Sequence, residues 1–455
     1  MRDKETSPLR KKARLIILAV SAAILGFAFG VDWIGLSEPG NFSKGQMLLA
    51  ATSLLLAIAC VLGHRIVAAY KGLALLLLNT MVAFVMMEFG ATLILKVISR
   101  FPSAPEPNAQ LSYYNSQEWG AEYWREFGIA ESNRYEPWVV WRRRPFSGKT
   151  INVNQEGIRL TPGADSSANS YKVFAFGGST LWGVGAPDWG TIPAYLQAKL
   201  DSLIDRPVCV VNFGESAYVS TQGVIELLKQ LQSGNVPEVA VFYDGFNDIV
   251  TAWVTGEAEA HHNLSDIAAR FKGGSLTPPH IALLNRLSLV TLFKRFKTEE
   301  VASIWQSSSY ADKGVDVEIA AAAVARVYLG NYELVDALAR KYGFEYHFFW
   351  QPAILVTEKK LTREEQLIKA EIGVPAAVAL FQAGYRRIKQ AANEYPNLHY
   401  IADAYDNEKD MIWIDTVHVT PIGNQLVAKE ILKVLRNGAI SHQSQIIRQN
   451  NLAAK

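Results

Sequence analysis

Three long apolar stretches dominate the hydrophobic pattern of the first 100 residues. Uncharged runs extend from Leu15 to Val31 and from Gly45 to Gly63, and a third, from Gly72 to Leu95, is interrupted only by Glu88. Each run is close to the roughly 17–25 residues with which a helix crosses a hydrocarbon core about 30 Å thick. The pattern predicts a membrane domain with three transmembrane helices over residues 1–100.

Charge in the connecting segments predicts the orientation of these helices. Six Lys or Arg lie between Arg2 and Arg14, whereas the segment from Asp32 to Lys44 has two acidic residues and one lysine. His64, Arg65 and Lys71 return positive charge before the third run. Because basic segments stay in the cytoplasm, we expect everything after residue 100 to lie outside it. The first run also fits a cleaved signal peptide, in which case the other two runs would still anchor the chain.

Glu88 is an ionisable residue inside the third run. Such a group is costly enough in a membrane to suggest a function. Alternatively, it lies towards the outer third of the span and either reaches the interface or pairs with a neighbouring helix. We favour the second explanation.

Residues 101–170 form an aromatic-rich connecting segment in which regular periodicity fades. Pro102, Pro105 and Pro107 indicate a stiff exit from the membrane. The run Arg142-Arg143-Arg144 fits a contact with anionic lipid or acidic glycan, or a solvated turn. The aromatic content is too high for a solvated linker, so we expect the segment to pack on the following domain or to rest at the bilayer surface. Its aromatic residues include Trp119, Tyr123, Trp124, Tyr135, Trp138 and Trp141.

Strand-like and helix-like runs alternate from residue 171 to residue 436. Such alternation predicts right-handed crossovers and a parallel sheet that is covered by helices on both faces, which is a three-layer α/β domain. The predicted strands are Lys172–Phe176, Val208–Phe213, Val239–Tyr243, Tyr346–Trp350 and His399–Ala402. The predicted helices are Thr191–Ile204, Gln222–Gln232, Val315–Tyr342, Val374–Asn393 and Pro421–Leu435.

An insertion at residues 249–314 interrupts this alternation. Within it, residues 280–297 combine apolar positions with a basic face, which is typical of a helix in the lipid interface or over the site. A helix packed on its own domain fits the same pattern. The tail at residues 437–455 is polar.

Composition limits the kinds of partner. A net charge of +2 over 455 residues argues against nucleic acid. The two cysteines, Cys60 and Cys209, lie far apart in apolar stretches and indicate neither a disulfide framework nor a thiolate metal site. Asp188, Asp244 and Asp248 lack further ligands at suitable spacing, so we predict no metal and no other cofactor.

Polar residues follow the predicted strands at the edge where the carboxyl ends of parallel strands meet. Ser179 follows the first strand and is the candidate nucleophile. His418 would take its proton, and Asp415 would orient the imidazole, as in a serine triad. The backbone N–H groups of Ser179 and Gly214, with the side-chain amide of Asn247, would form an oxyanion hole. We expect these groups to meet in one pocket.

Over residues 171–436 the chain resembles the SGNH hydrolase superfamily, also called the GDSL family. Its catalytic Ser, Gly, Asn and His correspond to Ser179, Gly214, Asn247 and His418, and the Asp-x-x-His spacing from Asp415 also matches. The resemblance implies a flavodoxin-like α/β/α domain. The first motif departs from the family, because it reads Gly-Gly-Ser-Thr instead of Gly-Asp-Ser-Leu. This form is similar to membrane-anchored bacterial members, some of which modify cell-surface polysaccharides.

These features predict a serine esterase in the bacterial inner membrane, with its catalytic domain in the periplasm. It would cleave O-acyl esters, O-acetyl esters above all, of a carbohydrate or lipid through an acyl-enzyme. An O-acyltransferase that uses the same residues on a glycan acceptor, and a non-catalytic glycan-binding assembly protein, are alternatives. A Gly-x-Ser-x-Gly elbow, a Gly-x-Gly-x-x-Gly motif and a Walker loop do not fit residues 177–185. The sequence leaves the oligomeric state open.

Overall fold

A computed structural model describes residues 8–30, 44–61, 67–100, 113–271, 287–290, 292 and 314–437. Several segments discussed for the sequence lie outside the described residues. They are the loops between the apolar helices, the three exit prolines, most of residues 280–297 and the tail after residue 437. The chain divides into two compact units. One comprises Met1–Pro102 with His280–Lys297, and the other comprises Ser103–Pro279 with Thr298–Lys455.

The first unit contains three apolar helices: α1 (Pro8–Gly30), α2 (Lys44–Val61) and α3 (Val67–Arg100). Among the residues that the structure describes, two segments could cross a membrane by length and composition, Lys12–Gly30 and Leu73–Lys96. The predicted count of three is therefore corrected to two candidate spans. The reason is the length of α2, because its 18 residues rise only about 27 Å, which is less than a hydrocarbon core about 30 Å thick.

Glu88 contacts the insertion from within this same unit. Its carboxylate accepts hydrogen bonds from the backbone N–H groups of Ser288 and Leu289, the latter at 2.9 Å. The Thr92 hydroxyl, one turn further along α3, donates to the Ser288 hydroxyl at 2.7 Å. The partner of Glu88 is thus the backbone of a segment 200 residues away. Of the predicted helix at residues 280–297, the described residues 288–290 and 292 are helical.

The second unit begins with the aromatic segment, which packs on the α/β domain. Its elements are α4 (Gly120–Ala130), β1 (Asn133–Glu136), β2 (Val140–Arg143), β3 (Phe146–Ser147) and β4 (Asn152–Val153). β1 and β2 form an antiparallel hairpin, as do β3 and β4. Arg159 then bridges to Asn212, which joins the segment to the edge of the main sheet.

The arginine triplet in this segment does not form a solvated turn. Arg142 and Arg143 are buried, and they form ion pairs with Glu226 and Glu215. Only Arg144 is exposed. The first two arginines are therefore not available for the contact with lipid or glycan that the sequence suggested.

The main sheet has five parallel strands in the order β6-β5-β7-β8-β9, which is the doubly wound order 2-1-3-4-5. The strands are β5 (Tyr171–Gly177), β6 (Val208–Asn212), β7 (Val239–Asp244), β8 (Glu345–Trp350) and β9 (Leu398–Tyr400). All five lie within one or two residues of their predicted ends. Central β7 is buried along its whole length, as expected for a strand covered on both faces.

The helices of this domain form two contacting groups. α6 (Ile192–Leu200) packs with α13 (Pro421–Asn437). The second group contains α7 (Ser220–Gln232), α8 (Phe246–Thr255), α10 (Val317–Tyr342) and α12 (Pro375–Ala391). Hydrophobic periodicity did not predict α8, the short α5 (Ser179–Trp182) or α11 (Arg363–Glu371). A further helix in the insertion, α9, spans Leu264–Phe271.

Candidate active site

The structure places Ser179 at the carboxyl end of β5, as the first residue of α5. Strand β5 is almost fully buried, so its position in the sheet is fixed by packing. Ser179 itself is 9% exposed. Its Oγ lies 2.7 Å from Nε2 of His418, a residue 239 positions later.

His418 and Asp415 lie in the loop that precedes α13. Asp415 Oδ2 lies 2.6 Å from His418 Nδ1, while Oδ1 accepts the backbone N–H groups of Val417 at 2.9 Å and His418 at 2.7 Å. An ionised carboxylate only accepts hydrogen bonds, so the imidazole must carry its proton on Nδ1. Nε2 is then left with a lone pair directed at the Ser179 hydroxyl. Ser179, His418 and Asp415 therefore form one hydrogen-bonded row.

The charge state of Asp415 follows from opposing effects on its pKa. Burial raises the pKa of this carboxyl, whereas the adjacent His418 and the two backbone N–H groups lower it. The net result is a pKa below the ordinary value of 3.8. Asp415 is consequently ionised at neutral pH, as the tautomer assignment requires.

A buried carboxylate from α11 supports the loop that carries this pair. Glu365 accepts the backbone N–H groups of Ile412 at 2.8 Å and Trp413 at 3.1 Å. It is also paired with Lys359 Nζ at 2.6 Å, and both side chains are fully buried. Glu365 thus anchors the start of the loop in which Asp415 and His418 lie. No local sequence pattern indicates this role, since Glu365 precedes Ile412 by 47 residues.

The three expected oxyanion donors lie near the start of α5. They differ in whether their N–H groups already donate a hydrogen bond within the protein. The Ser179 N–H is the first amide of a helix and has no acceptor within that helix. The Asn247 amide donates one hydrogen to Tyr218 O at 2.8 Å and keeps its second. The Gly214 N–H donates to Asn212 Oδ1 at 3.0 Å, so it must exchange this partner before it can serve an oxyanion.

Close approach explains two of the glycines in these motifs. A Cβ at Gly178 would lie 2.3 Å from Nδ2 of Asn247, and a Cβ at Gly214 would lie 2.5 Å from the backbone nitrogen of Trp182. Contacts this short are not tolerated between non-bonded atoms. The Gly-Gly-Ser form of the first motif therefore lets the Asn247 amide lie directly beside the candidate nucleophile.

Two other acidic residues near this edge, Asp188 and Asp248, have structural partners. Asp188 accepts hydrogen bonds from Arg159 Nε at 2.8 Å and Asn152 Nδ2 at 3.0 Å. Asp248 accepts from the backbone and hydroxyl of Ser220. In the described part of the chain, no group of three His, Cys, Asp or Glu is arranged to hold a metal ion.

Comparisons with known proteins concern the fold alone. No protein-family model and no curated protein matches the chain. Several solved structures are similar over somewhat more than half of it. The acetyl xylan esterase AlAXEase has 15% identity and a TM-score of 0.31, covering 58% of this chain and 99% of its own. A lipolytic protein of the G-D-S-L family from Veillonella parvula has 13% identity and a TM-score of 0.31, covering 58% and 97%.

A third similar structure is the psychrotrophic esterase EstA from Pseudoalteromonas, described as inhibited by monoethylphosphonate. It has 10% identity and a TM-score of 0.30, covering 59% of this chain and 98% of its own. Likeness at this level carries no argument about reaction or substrate.

Proposed function

We propose that this chain is a membrane-anchored serine esterase of the SGNH type that cleaves O-acyl esters. The observation that carries the proposal is the hydrogen-bonded row from Ser179 Oγ through His418 to Asp415, with distances of 2.7 and 2.6 Å. A serine hydroxyl is a weak nucleophile until a base takes its proton. In this row the unprotonated His418 Nε2 faces that hydroxyl, so the base is already in position.

The reaction proceeds in two acyl transfers. Ser179 Oγ attacks the acyl carbonyl while its proton moves to His418 Nε2, and the negative charge on the carbonyl oxygen is stabilised by the N–H donors of Ser179 and Asn247. Collapse of this intermediate expels the alcohol, which takes the proton from His418, and leaves an acyl-Ser179 ester. A water molecule, deprotonated by His418, then releases the acid and regenerates the enzyme.

The substrate and location belong to the same proposal. We assign the enzyme to O-acetyl esters of cell-surface polysaccharide, and we place it in the bacterial inner membrane, anchored by its apolar helices, with the catalytic domain in the periplasm. The Gly-Gly-Ser-Thr motif and the apolar helices α1 and α3 support this assignment. A reporter that is active only outside the cytoplasm, fused after residue 105, should be active, and an inactive fusion would contradict the orientation.

The catalytic proposal is tested with the full chain in detergent micelles. We expect hydrolysis of p-nitrophenyl acetate, labelling of Ser179 by a fluorophosphonate, and a loss of about 10³-fold or more in kcat for Ser179→Ala. Ser166→Ala, which removes an exposed hydroxyl from the same unit, is the matched control and should retain wild-type activity. Full activity in Ser179→Ala would overturn the proposal.

The same assay separates the two alternatives. If an added oligosaccharide becomes acylated while little free acid forms, the enzyme is an O-acyltransferase. If the folded protein neither hydrolyses the ester nor reacts with the fluorophosphonate, the non-catalytic glycan-binding protein is the better description.

A further inference from the structure

The loop at residues 214–218 carries both Gly214 and the carbonyl group that binds Asn247. It follows β6 and is attached to the end of β5, since Glu215 N donates to Gly177 O at 3.1 Å. Ala217 within it has φ of 59°, in the left-handed region that residues other than glycine rarely adopt. A loop in this conformation persists only when its surroundings hold it.

Strand β2 supplies that support through Arg143. Its backbone N–H and its Nε donate to the two oxygens of Glu215 at 2.9 and 3.1 Å, and its guanidinium also donates to the Ser216 hydroxyl. Glu215 in turn accepts the Ser216 N–H at 2.7 Å. Arg143 and Glu215 are both fully buried, so this pair is shielded from solvent. The residue next to Gly214 is therefore fixed by β2.

Trp141, two residues earlier on the same strand, holds the other end of the loop. Its indole Nε1 donates to Ser216 O at 2.9 Å, and its own carbonyl oxygen accepts the Tyr218 hydroxyl. The Tyr218 carbonyl oxygen is the acceptor of the Asn247 amide. A continuous series of hydrogen bonds thus runs from β2 through Tyr218 to Asn247.

Backbone strain is concentrated at this contact. Among the described residues, the non-glycine positions with positive φ are Trp138, Val140 and Ala217. The first two lie in the β1–β2 hairpin, and the third lies in the loop that it contacts. Strain of this kind is retained mainly at functional sites.

We propose that the β1–β2 hairpin is a positioning element of the active site, in which Trp141 and Arg143 hold the loop at residues 214–218 and thereby orient the oxyanion donor Asn247. This inference rests on the esterase function proposed above. It implies that the segment after the membrane helices is part of the catalytic apparatus, although it lies outside the SGNH resemblance. Neither residue touches the reacting atoms, so their effect is on the placement of this donor.

The test uses two conservative variants of the full chain in detergent micelles. Trp141→Phe removes the indole donor and Tyr218→Phe removes the hydroxyl, and each keeps an aromatic ring. We expect kcat for p-nitrophenyl acetate to fall about tenfold in each, with KM within about twofold, because misplaced donors weaken only the transition state. Tyr135→Phe, at an exposed aromatic residue of the same hairpin, is the matched control and should retain wild-type kcat.

Two further measurements distinguish positioning from general destabilisation. The rate of fluorophosphonate labelling should fall in parallel with kcat, while the unfolding temperature stays within a few degrees. In an Asn247→Ala background, Tyr218→Phe should cost less than about threefold, because the donor that it orients is already absent. Wild-type kcat in both conservative variants, or a full additive loss in the double variant, would overturn the inference.

These outcomes are separate from a failure of the proposed function. If Ser179→Ala abolishes activity while Trp141→Phe and Tyr218→Phe do not change kcat, the esterase stands and the positioning role is wrong. If Ser179→Ala keeps its activity, the esterase proposal fails first, and the positioning role falls with it.

Discussion

Replacing Asp415 by Asn is the sharpest test of the proposed chemistry, because the structure determines how the new side chain must lie. Oδ1 of Asp415 accepts two backbone N–H groups, whereas Oδ2 accepts only His418 Nδ1. The asparagine oxygen should therefore keep the two N–H partners, and its NH₂ group should face the imidazole. Nδ1 would then accept a hydrogen bond, and the imidazole proton would move to Nε2.

The size of the effect follows from the alternative rotamer. With the proton on Nε2, His418 cannot accept a proton from Ser179, so activity requires the asparagine amide to rotate by about 180°. This rotation leaves two backbone N–H donors without an acceptor, and each unsatisfied donor costs about 1–3 kcal/mol. A total of about 2–6 kcal/mol corresponds to a loss of about 30-fold to 10⁴-fold in kcat.

The assay is hydrolysis of p-nitrophenyl acetate by the full chain at neutral pH, together with the unfolding temperature. Asp410→Asn is the matched control, since it removes one negative charge at an exposed position five residues upstream and should leave kcat within about twofold. A folded Asp415→Asn variant with kcat within tenfold of wild type would refute the assigned tautomer and the role of the carboxylate.

Three other predictions use different parts of the molecule. Gly178→Ala should lower kcat about 10²-fold, because the methyl group would lie 2.3 Å from the amide of Asn247, the proposed oxyanion donor. Gly128→Ala, where the new methyl group would have no neighbour within 4 Å, should be active and equally or more stable. Burial, helped by the neighbouring histidine, lowers the pKa of His399 from 6.5 to about 4. The unfolded chain therefore binds more protons between these values, so the unfolding temperature should drop as pH falls from 6.5 to 4, and His399→Gln should show a smaller drop. Thr92→Cys combined with Ser288→Cys should form a disulfide on oxidation, since the two hydroxyls are 2.7 Å apart; the background is a chain whose native cysteines are replaced by serine. Neither single variant should form this disulfide. A double variant that stays reduced would contradict the contact.

Local sequence patterns were sufficient to predict the strands of the sheet and the apolar helices. Alternating strands and helices predicted five parallel strands within one or two residues of their ends, because burial on both faces leaves continuous runs of β-branched and aromatic residues. Ser179, Asp415 and His418 could be found for a related reason, since residues that follow parallel strands share one edge. Local pattern and strand direction were sufficient for these inferences.

Contacts between segments that are distant in the chain could be seen only in the folded molecule. Arg143 and Glu215 are 72 residues apart, and nothing in either local sequence indicates the pairing; the arginine triplet alone suggested exposure. Glu88 was recognised as unusual, but its partner at Ser288 lies 200 residues away. Hydrophobic periodicity indicates which face of a helix or strand is buried. It does not indicate the partner of a buried charge, because that partner depends on which helices and strands pack together. That packing is a property of the whole chain.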